Sequence, residues 1–264
     1  MGPALVRSGR RALPGLATLH TREVLRNPWV WPAGVAVALL ALAFRGREGA
    51  VGLVSLVAAL QLYVPPLVMV VATPLLARRE TWAFWAALQR SPGRAYVRAA
   101  IGVGVGTLVP LAVGAGLAGI VLGSRPLELA LLLAALTTLV AVWTALAALV
   151  AAATLDATRG LALGLAGWAA GTLAYGPAVV ALATALPDRP LGGLLIGALL
   201  ANPAEAVRVG LLETLDVPVL VGPVAVLLRD ALPGPTLLWG AASAAVWAAA
   251  LVVVAGYVFA VHDR

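Results

Sequence analysis

Six apolar stretches run along this chain, and they constrain its fold more than any other feature. Five of them hold 25 or more residues each, almost all uncharged: 51–77, 99–123, 129–155, 161–186 and 237–261. Another, shorter stretch covers 29–44 and precedes these five, and below the six stretches are numbered in chain order. A helix needs about 20 apolar residues to cross the hydrocarbon core, and in lipid a segment must satisfy its own backbone polar groups. We therefore predict an all-α integral membrane protein with six transmembrane helices in a single domain, residues 1–264.

The distribution of arginine predicts the orientation in the membrane. All 18 cationic residues are arginine, and with the N-terminus inside, 12 fall on inner segments and 6 on outer ones. This bias is typical of the positive-inside rule. It predicts cytoplasmic N- and C-termini in the cell (inner) membrane of a bacterium or archaeon. The pI near 11.2 is then a topology signal, and no nucleic-acid partner is expected because no aromatic-rich polar domain accompanies the charge.

Missing residue types exclude several kinds of chemistry. Without lysine the chain has no P-loop. Without cysteine and with two scattered histidines, it shows no metal-ligand cluster and predicts no cofactor. The polar side chains inside the spans are hydroxyls and the following four: Gln61, Tyr63, Tyr175 and Tyr257. Catalysis or a proton relay within the membrane needs ionisable groups at depth, so we predict a protein that is not an enzyme.

The N-terminal residues 13–26 predict an amphipathic helix on the inner membrane face. Leu16, Leu19 and Val24 would face lipid, while Arg22, Glu23 and Arg26 would face water. The segment has no apolar core of its own before residue 29. It is therefore not expected to be a cleaved signal peptide.

Glycine pairs spaced four residues apart predict close helix packing inside the bundle. Such pairs are Gly102/Gly106, Gly160/Gly164 and Gly167/Gly171. Residues 114–119 also match the dinucleotide-binding pattern G-x-G-x-x-G. That match lies inside an apolar stretch with no preceding strand, so we interpret it as packing as well.

The segment between the fifth and sixth stretches, 187–235, is apolar but broken by seven prolines. We predict short interfacial helices here on the outer face. Asn202 and Pro203 have the pattern of an N-cap and a first helical residue, and Glu205 and Arg208 are spaced to pair. Two interpretations stay open: a helix tucked against the outer leaflet, or a docking platform for a partner outside the cell.

The inner loop between the second and third stretches combines charge with aromatic residues. Residues 81–89 are long enough for a two-turn helix, with Trp82 and Trp85 on one face. One interpretation is an interfacial aromatic belt with arginines reaching to the headgroups. The other is a knob for a cytoplasmic partner, since aromatic residues and arginine are typical interface anchors.

This inner loop resembles the coupling segment of ABC type-2 export permeases. That family carries a pattern of Glu, Gly-Thr-Leu, Leu-Leu, Pro, Arg and Lys, and the matching positions here are Glu80, Leu88, Pro92, Arg94 and Arg98. Ala83-Phe84-Trp85 replaces Gly-Thr-Leu, and Arg98 replaces the lysine. The run from Asn202 to Arg208 is similar to an Asn-Pro-x-Asp/Glu-x-x-Arg run of the NosY-type permeases of nitrous oxide reductase maturation.

The resemblance implies a homodimeric permease subunit driven by two copies of a separate ATPase. The coupling residues would lie on an inner helix at about 79–91: Glu80, Trp82, Phe84, Trp85 and Arg90. A periplasmic solenoid protein would dock on Asn202, Pro203, Glu205 and Arg208, and the complex would transport cargo or transmit force for copper-site assembly of nitrous oxide reductase. Two alternatives remain: a generic exporter permease for drugs, lipids or polysaccharides, or a membrane anchor or assembly factor that moves nothing.

Overall fold

The computed structural model describes residues 15–46, 50–78, 91–185, 192–215 and 233–262. These residues are helical almost throughout and contain no β-strand. We number the helices α1 Leu16–Arg26, α2 Val30–Phe44, α3 Ala50–Leu76, α4 Pro92–Leu122, α5 Pro126–Thr154, α6 Ala157–Trp168, α7 Tyr175–Ala185, α8 Gly192–Ala201, α9 Pro203–Thr214 and α10 Thr236–His262. A π-helical segment, Ala169–Ala174, joins α6 to α7 without a break.

Five helical stretches are long and apolar enough to cross a membrane. They are α3, α4, α5, the continuous run Ala157–Leu182 and α10. We call the run Ala157–Leu182 the fifth span, because it covers most of the fifth apolar stretch of the sequence in chain order. Two bent pairs also pass this test when each pair is taken together: α1 with α2, bent by 67°, and α8 with α9, bent by 110°. The described part of the chain is therefore a multi-pass helical membrane protein, as predicted.

Proline and side-chain caps explain where several helices begin. Pro92, Pro126 and Pro203 each start a helix, where the missing N–H costs no hydrogen bond. Asp156 caps α6 by accepting bonds of 2.9 Å from the backbone N–H groups of Thr158 and Arg159. These bonds, that of Arg159 first, hold the pKa of the Asp156 carboxyl below its usual value. The cap fixes the tight turn between α5 and the fifth span.

The core lies between α3, α4 and α5, and α5 is its most enclosed member. In the most apolar 18 residues of α5, 56% are buried. In the corresponding window of the fifth span, Ala157–Leu182, none is buried. The fifth span contacts α3 and α5 mainly through α6, so most of its outer half faces lipid or another chain.

Helices α1 and α2 pack on α4 through glycines, as their spacing predicts. A Cβ on Gly102 would lie 2.2 Å from the Ala17 carbonyl oxygen, and one on Gly114 would lie 2.0 Å from that of Gly34. The prediction that Leu16 and Val24 face lipid is wrong, because both are buried in the protein. Glycine lets α1 approach α4 so closely that its apolar face is covered by protein instead.

The described part of the outer segment forms short helices, but α9 does not lie on a surface. It packs along α10 and against α5 and α3, and seven of its residues are buried. Gly210 of α9 and Gly240 of α10 permit this, since a Cβ on either would clash with backbone of the other helix. Small residues thus let α9 pack into the bundle instead of resting on its outside.

Candidate functional site

A cavity of about 410 Å³ lies between α3, α5, the fifth span and the bent pair α8–α9. Its wall is mostly apolar and includes Trp143, Val179 and Leu199. Six polar side chains also line it: Gln61, Thr172, Tyr175, Asn202, Glu205 and Arg208. The structure brings these polar side chains together beside the α8–α9 bend, and we take this cavity as the candidate site.

The bend between α8 and α9 is held by hydrogen bonds to three other helical elements. Asn202 caps α9 through its side-chain oxygen, which accepts from the N–H of Glu205 at 3.3 Å, and its Nδ2 donates to the Gly171 carbonyl at 2.7 Å. Gln61 Nε2 on α3 donates to the Ala204 carbonyl at 3.0 Å. Ser243 on α10 donates to the Leu200 carbonyl at 2.6 Å. The bend is thus fixed by side-chain hydrogen bonds from α3, α10 and its own N-cap residue.

These contacts give the depth of the bend. At a rise of 1.5 Å per residue, Gln61 lies about 16 Å along α3 from Ala50, and Ser243 lies about 10 Å along α10 from Thr236. Each of these helices has 27 residues and is about 40 Å long. The N-terminal end of α9 therefore lies beside the middle of α3 and within the first third of α10, not beyond the ends of these helices.

Glu205 and Arg208 form an ion pair on one face of α9. Nε of Arg208 donates to Glu205 Oε2 at 2.9 Å, and a second bond joins Arg208 Nη2 to Glu205 Oε1. The two side chains are 35% and 29% exposed, respectively. Two of the five N–H groups of the guanidinium therefore donate to Glu205, and three do not. The pair carries no net charge.

The π-helical segment forms the opposite wall of the cavity. It provides Gly171 and Thr172, and Tyr175 follows directly, with its hydroxyl bonded to the Ala198 carbonyl on α8. Short π-helical insertions are rare and occur frequently at functional sites. Here the hydrogen bonds from Asn202 and Tyr175 tie this segment to the α8–α9 bend across the cavity.

Two buried indole groups lie beside the π-helical segment. The Nε1 atoms of Trp143 and Trp168 are buried and have no hydrogen-bond partner in the part of the chain that the structure describes. Trp168 directly precedes the segment, and a Cβ on Gly171 would lie 3.8 Å from the Trp143 ring. A buried N–H donor without a partner costs about 1–3 kcal/mol. This wall of the cavity therefore contains two buried groups that destabilise the fold.

A second polar cluster lies at the other end of α3. Glu23 on α1 accepts from Arg78 Nη1 at 3.0 Å and lies 3.1 Å from His20 Nδ1. Arg78 is the last described residue before the inner loop. Glu23 therefore attaches α1 to the start of that loop, and His20 is buried while Arg78 is exposed.

Of the predicted site residues, the structure describes only the outer group. The predicted coupling residues lie outside the described residues: Glu80, Trp82, Phe84, Trp85 and Arg90. Asn202 is the N-cap and Pro203 the first residue of α9, and the Glu205–Arg208 pair forms, all as predicted. Pro203 is buried and the other three line the cavity, so the four do not make one exposed face.

Sequence reasoning missed the partners of these residues. Gln61 and Tyr175 were visible as isolated polar residues inside apolar stretches, which is the signal that could have included them. Trp143 and Thr172 carried no such signal, since tryptophan and threonine are common in spans. No group of three His, Cys, Asp or Glu side chains suited to a metal ion occurs among the described residues. No protein-family model matches this sequence, and a search of curated proteins gives no match.

Proposed function

We propose that this chain is the membrane-spanning permease subunit of an ATP-binding-cassette transporter, coupled to ATP hydrolysis by a separate subunit. The observation that carries the proposal is the polar cavity beside the α8–α9 bend, inside an otherwise apolar bundle. Polar groups at membrane depth are costly and typically functional, and broken helices are tolerated where they line a cavity. The resemblance of the inner loop to ABC type-2 permeases supplies the class of transporter.

The charge inventory supports an external energy source. Among the described residues, the charged side chains that line the cavity are Glu205 and Arg208, and they neutralise each other. A proton-driven carrier needs a chain of groups that titrate across the membrane. One paired carboxylate is a poor basis for such a relay, so an ATPase partner is the better source.

The proposed topology has six spans with both termini in the cytoplasm. α2 is the first span, α3, α4 and α5 follow, the fifth is Ala157–Leu182, and α10 is the sixth. The α8–α9 pair enters from the outer face and returns to it, and α1 lies at the inner face. The arginine bias supports this orientation. In this cysteine-free chain, single cysteines at Arg90 and Ala157 should be labelled from the cytoplasm, and those at Ser124 and Glu213 from outside.

The exposed fifth span supports a homodimer in the membrane. Leu173, Val180 and Leu182 are each about half exposed, and the cavity lies beside them. A second copy packed here would cover this surface and place two cavities near one axis. Lipid would fill whatever surface remains.

The experiment is affinity purification of the tagged chain from cells that express it natively. We expect an ATPase to copurify, and we expect the chain alone to hydrolyse no ATP because it lacks a P-loop lysine. Trp85→Ala should weaken ATPase capture roughly thirtyfold, since truncating a buried aromatic anchor costs about 2 kcal/mol, and Trp82→Ala should weaken it as well. Arg208→Leu, on the other side of the membrane, serves as the matched control that keeps capture. ATP turnover by the lone chain, or unchanged capture by the tryptophan variants, would refute the proposal.

Two finer versions of this function differ in the role of α9. In the NosY-type version, a periplasmic solenoid protein docks on Asn202, Pro203, Glu205 and Arg208, and the complex serves copper-site assembly of nitrous oxide reductase. In the generic exporter version, the same residues handle cargo. The inward position of the Glu205–Arg208 pair favours the second version. Reversing the charge with Arg208→Glu separates them, because only the first predicts loss of an outside partner.

A further inference from the structure

We infer that the cavity beside the α8–α9 bend accepts small molecules of zero net charge that carry both hydrogen-bond donors and acceptors, and that the Glu205–Arg208 pair excludes singly charged ones. This inference deepens the proposed function, because it names the class of cargo that the site would take. It depends on the geometry of the cavity, on the state of its polar groups and on the charge of the pair.

The first step is the set of polar groups left over in the cavity wall. Among the described residues, three N–H donors of Arg208 and the side-chain oxygen of Gln61 have no hydrogen-bond partner, after two Arg208 donors have bonded to Glu205 and Gln61 Nε2 to Ala204. The Thr172 hydroxyl has no hydrogen bond within the described residues and can donate or accept. The cavity thus offers donors and acceptors together, which suits amides, polyols, ureas or zwitterions rather than purely apolar molecules.

The second step is the cost of a net charge. Glu205 and Arg208 neutralise each other, so the site offers no net charge. An anion bound to the remaining N–H groups of Arg208 would also lie beside the Glu205 carboxylate, and a cation beside Glu205 would lie beside the guanidinium. Neither ion gains an uncompensated opposite charge to offset its lost hydration, and taking such an ion out of water is strongly unfavourable. The penalty is reduced here because about a third of each side chain is exposed, but it opposes both signs of charge.

The third step is size. The cavity holds about 410 Å³, within the range of about 300–1,000 Å³ for small-molecule sites. Its apolar wall, which includes Val179 and Leu199, would cover the carbon skeleton of the occupant. Charge neutrality and mixed hydrogen bonding therefore select the molecule, and the apolar wall contributes affinity.

The test uses thiol reagents of different charge on the full chain in lipid nanodiscs. The chain has no cysteine, so Thr172→Cys places one thiol in the cavity wall, and Ser124→Cys in the outer turn is the reference. The probes are methyl methanethiosulfonate (neutral), its sulfonatoethyl analogue (anionic) and its trimethylammonium-ethyl analogue (cationic). Rates at Thr172→Cys divided by rates at Ser124→Cys remove differences in intrinsic reactivity. Val179→Cys is a second cavity position that keeps the test valid if Thr172→Cys does not fold.

We expect both charged reagents to react about tenfold more slowly than the neutral one relative to the reference, the size of a 1.4 kcal/mol penalty. Glu205→Gln should restore the reaction rate of the anionic reagent only, and Arg208→Gln should restore that of the cationic reagent only. This reversal separates charge selection from simple crowding, which would leave the order unchanged. Equal relative rates in the parent chain, or no change of order in the two variants, would overturn the inference. Neither result affects ATPase capture, so failure here is distinguishable from failure of the proposed function.

Discussion

The seam between α1, α2 and α4 and the region around the α8–α9 bend are stabilised by different means. In the seam, backbone approaches backbone: a Cβ on Gly34 would lie 2.2 Å from the Pro110 carbonyl oxygen, and one on Gly114 would lie 2.0 Å from that of Gly34. Around the bend, long side chains such as Gln61 and Asn202 reach across to carbonyl groups and leave a cavity between the helices. The first arrangement leaves no space between the helices, and the second leaves space lined by polar side chains. Under the proposed function, the seam would be the fixed part of the transporter and the cavity its binding region.

The largest expected effect is in the seam. Gly114→Ala would put a Cβ 2.0 Å from the Gly34 carbonyl oxygen and force α2 away from α4. We expect a loss of about 3 kcal/mol in the free energy of unfolding, at the upper end for overpacked sites. Gly116→Ala on the same helix has nothing within 4 Å and should change stability by less than about 1 kcal/mol. Thermal unfolding followed by size-exclusion fluorescence measures the melting temperatures of both variants. Equal melting temperatures would contradict the close packing of α2 against α4.

A smaller effect is expected at the bend. Asn202→Ala removes both the cap of α9 and the bond to Gly171, at a cost of about 2 kcal/mol. Asn202→Ser keeps a capping oxygen but is too short to reach Gly171, so about half of the loss should remain. Amide hydrogen exchange in the π-helical segment reports the bond to Gly171 separately from the cap. Because both variants lose this bond, the exchange rate should rise in both. Protection that is retained in Asn202→Ser would show that the segment does not depend on this bond.

The smallest effect is expected at the cap of α6, which joins the enclosed α5 to the exposed fifth span. Asp156→Ala should lower the melting temperature least of the three, because the capping bonds of Asp156 are exposed to water. Because the pKa of Asp156 is lowered in the folded protein, its contribution is present above the unfolded pKa and is lost as the pH falls through the folded one. Asp156→Asn keeps the cap without titrating. A pH titration of the melting temperature should therefore be flatter for Asp156→Asn, and identical profiles would contradict this account of the cap.

The two regions also differ in how far the sequence predicts them. The seam follows from local spacing, because Gly102 and Gly106 repeat on one face of a helix and small faces pack. The start of α9 follows from Asn202 and Pro203 for the same reason, since caps are local. The cavity does not follow, because the partners of Gln61 and Asn202 are carbonyl groups of residues far along the chain, and a carbonyl has no sequence signature. Apolar composition likewise cannot distinguish a helix that packs in the bundle, such as α9, from one that lies in the membrane interface.

The central claim is that the α8–α9 bend enters the bundle and lies against Gln61. Cross-linking tests it directly, with Gln61→Cys and Ala204→Cys in the cysteine-free chain and a short bifunctional thiosulfonate. The positive control is Gly104→Cys on α4 with Thr144→Cys on α5, whose Cβ atoms would be 3.6 Å apart without a backbone clash, close to disulfide geometry. The account predicts efficient cross-linking of both pairs in membranes. Cross-linking of the control pair alone would mean that α9 does not enter the bundle beside Gln61, and the account would be wrong.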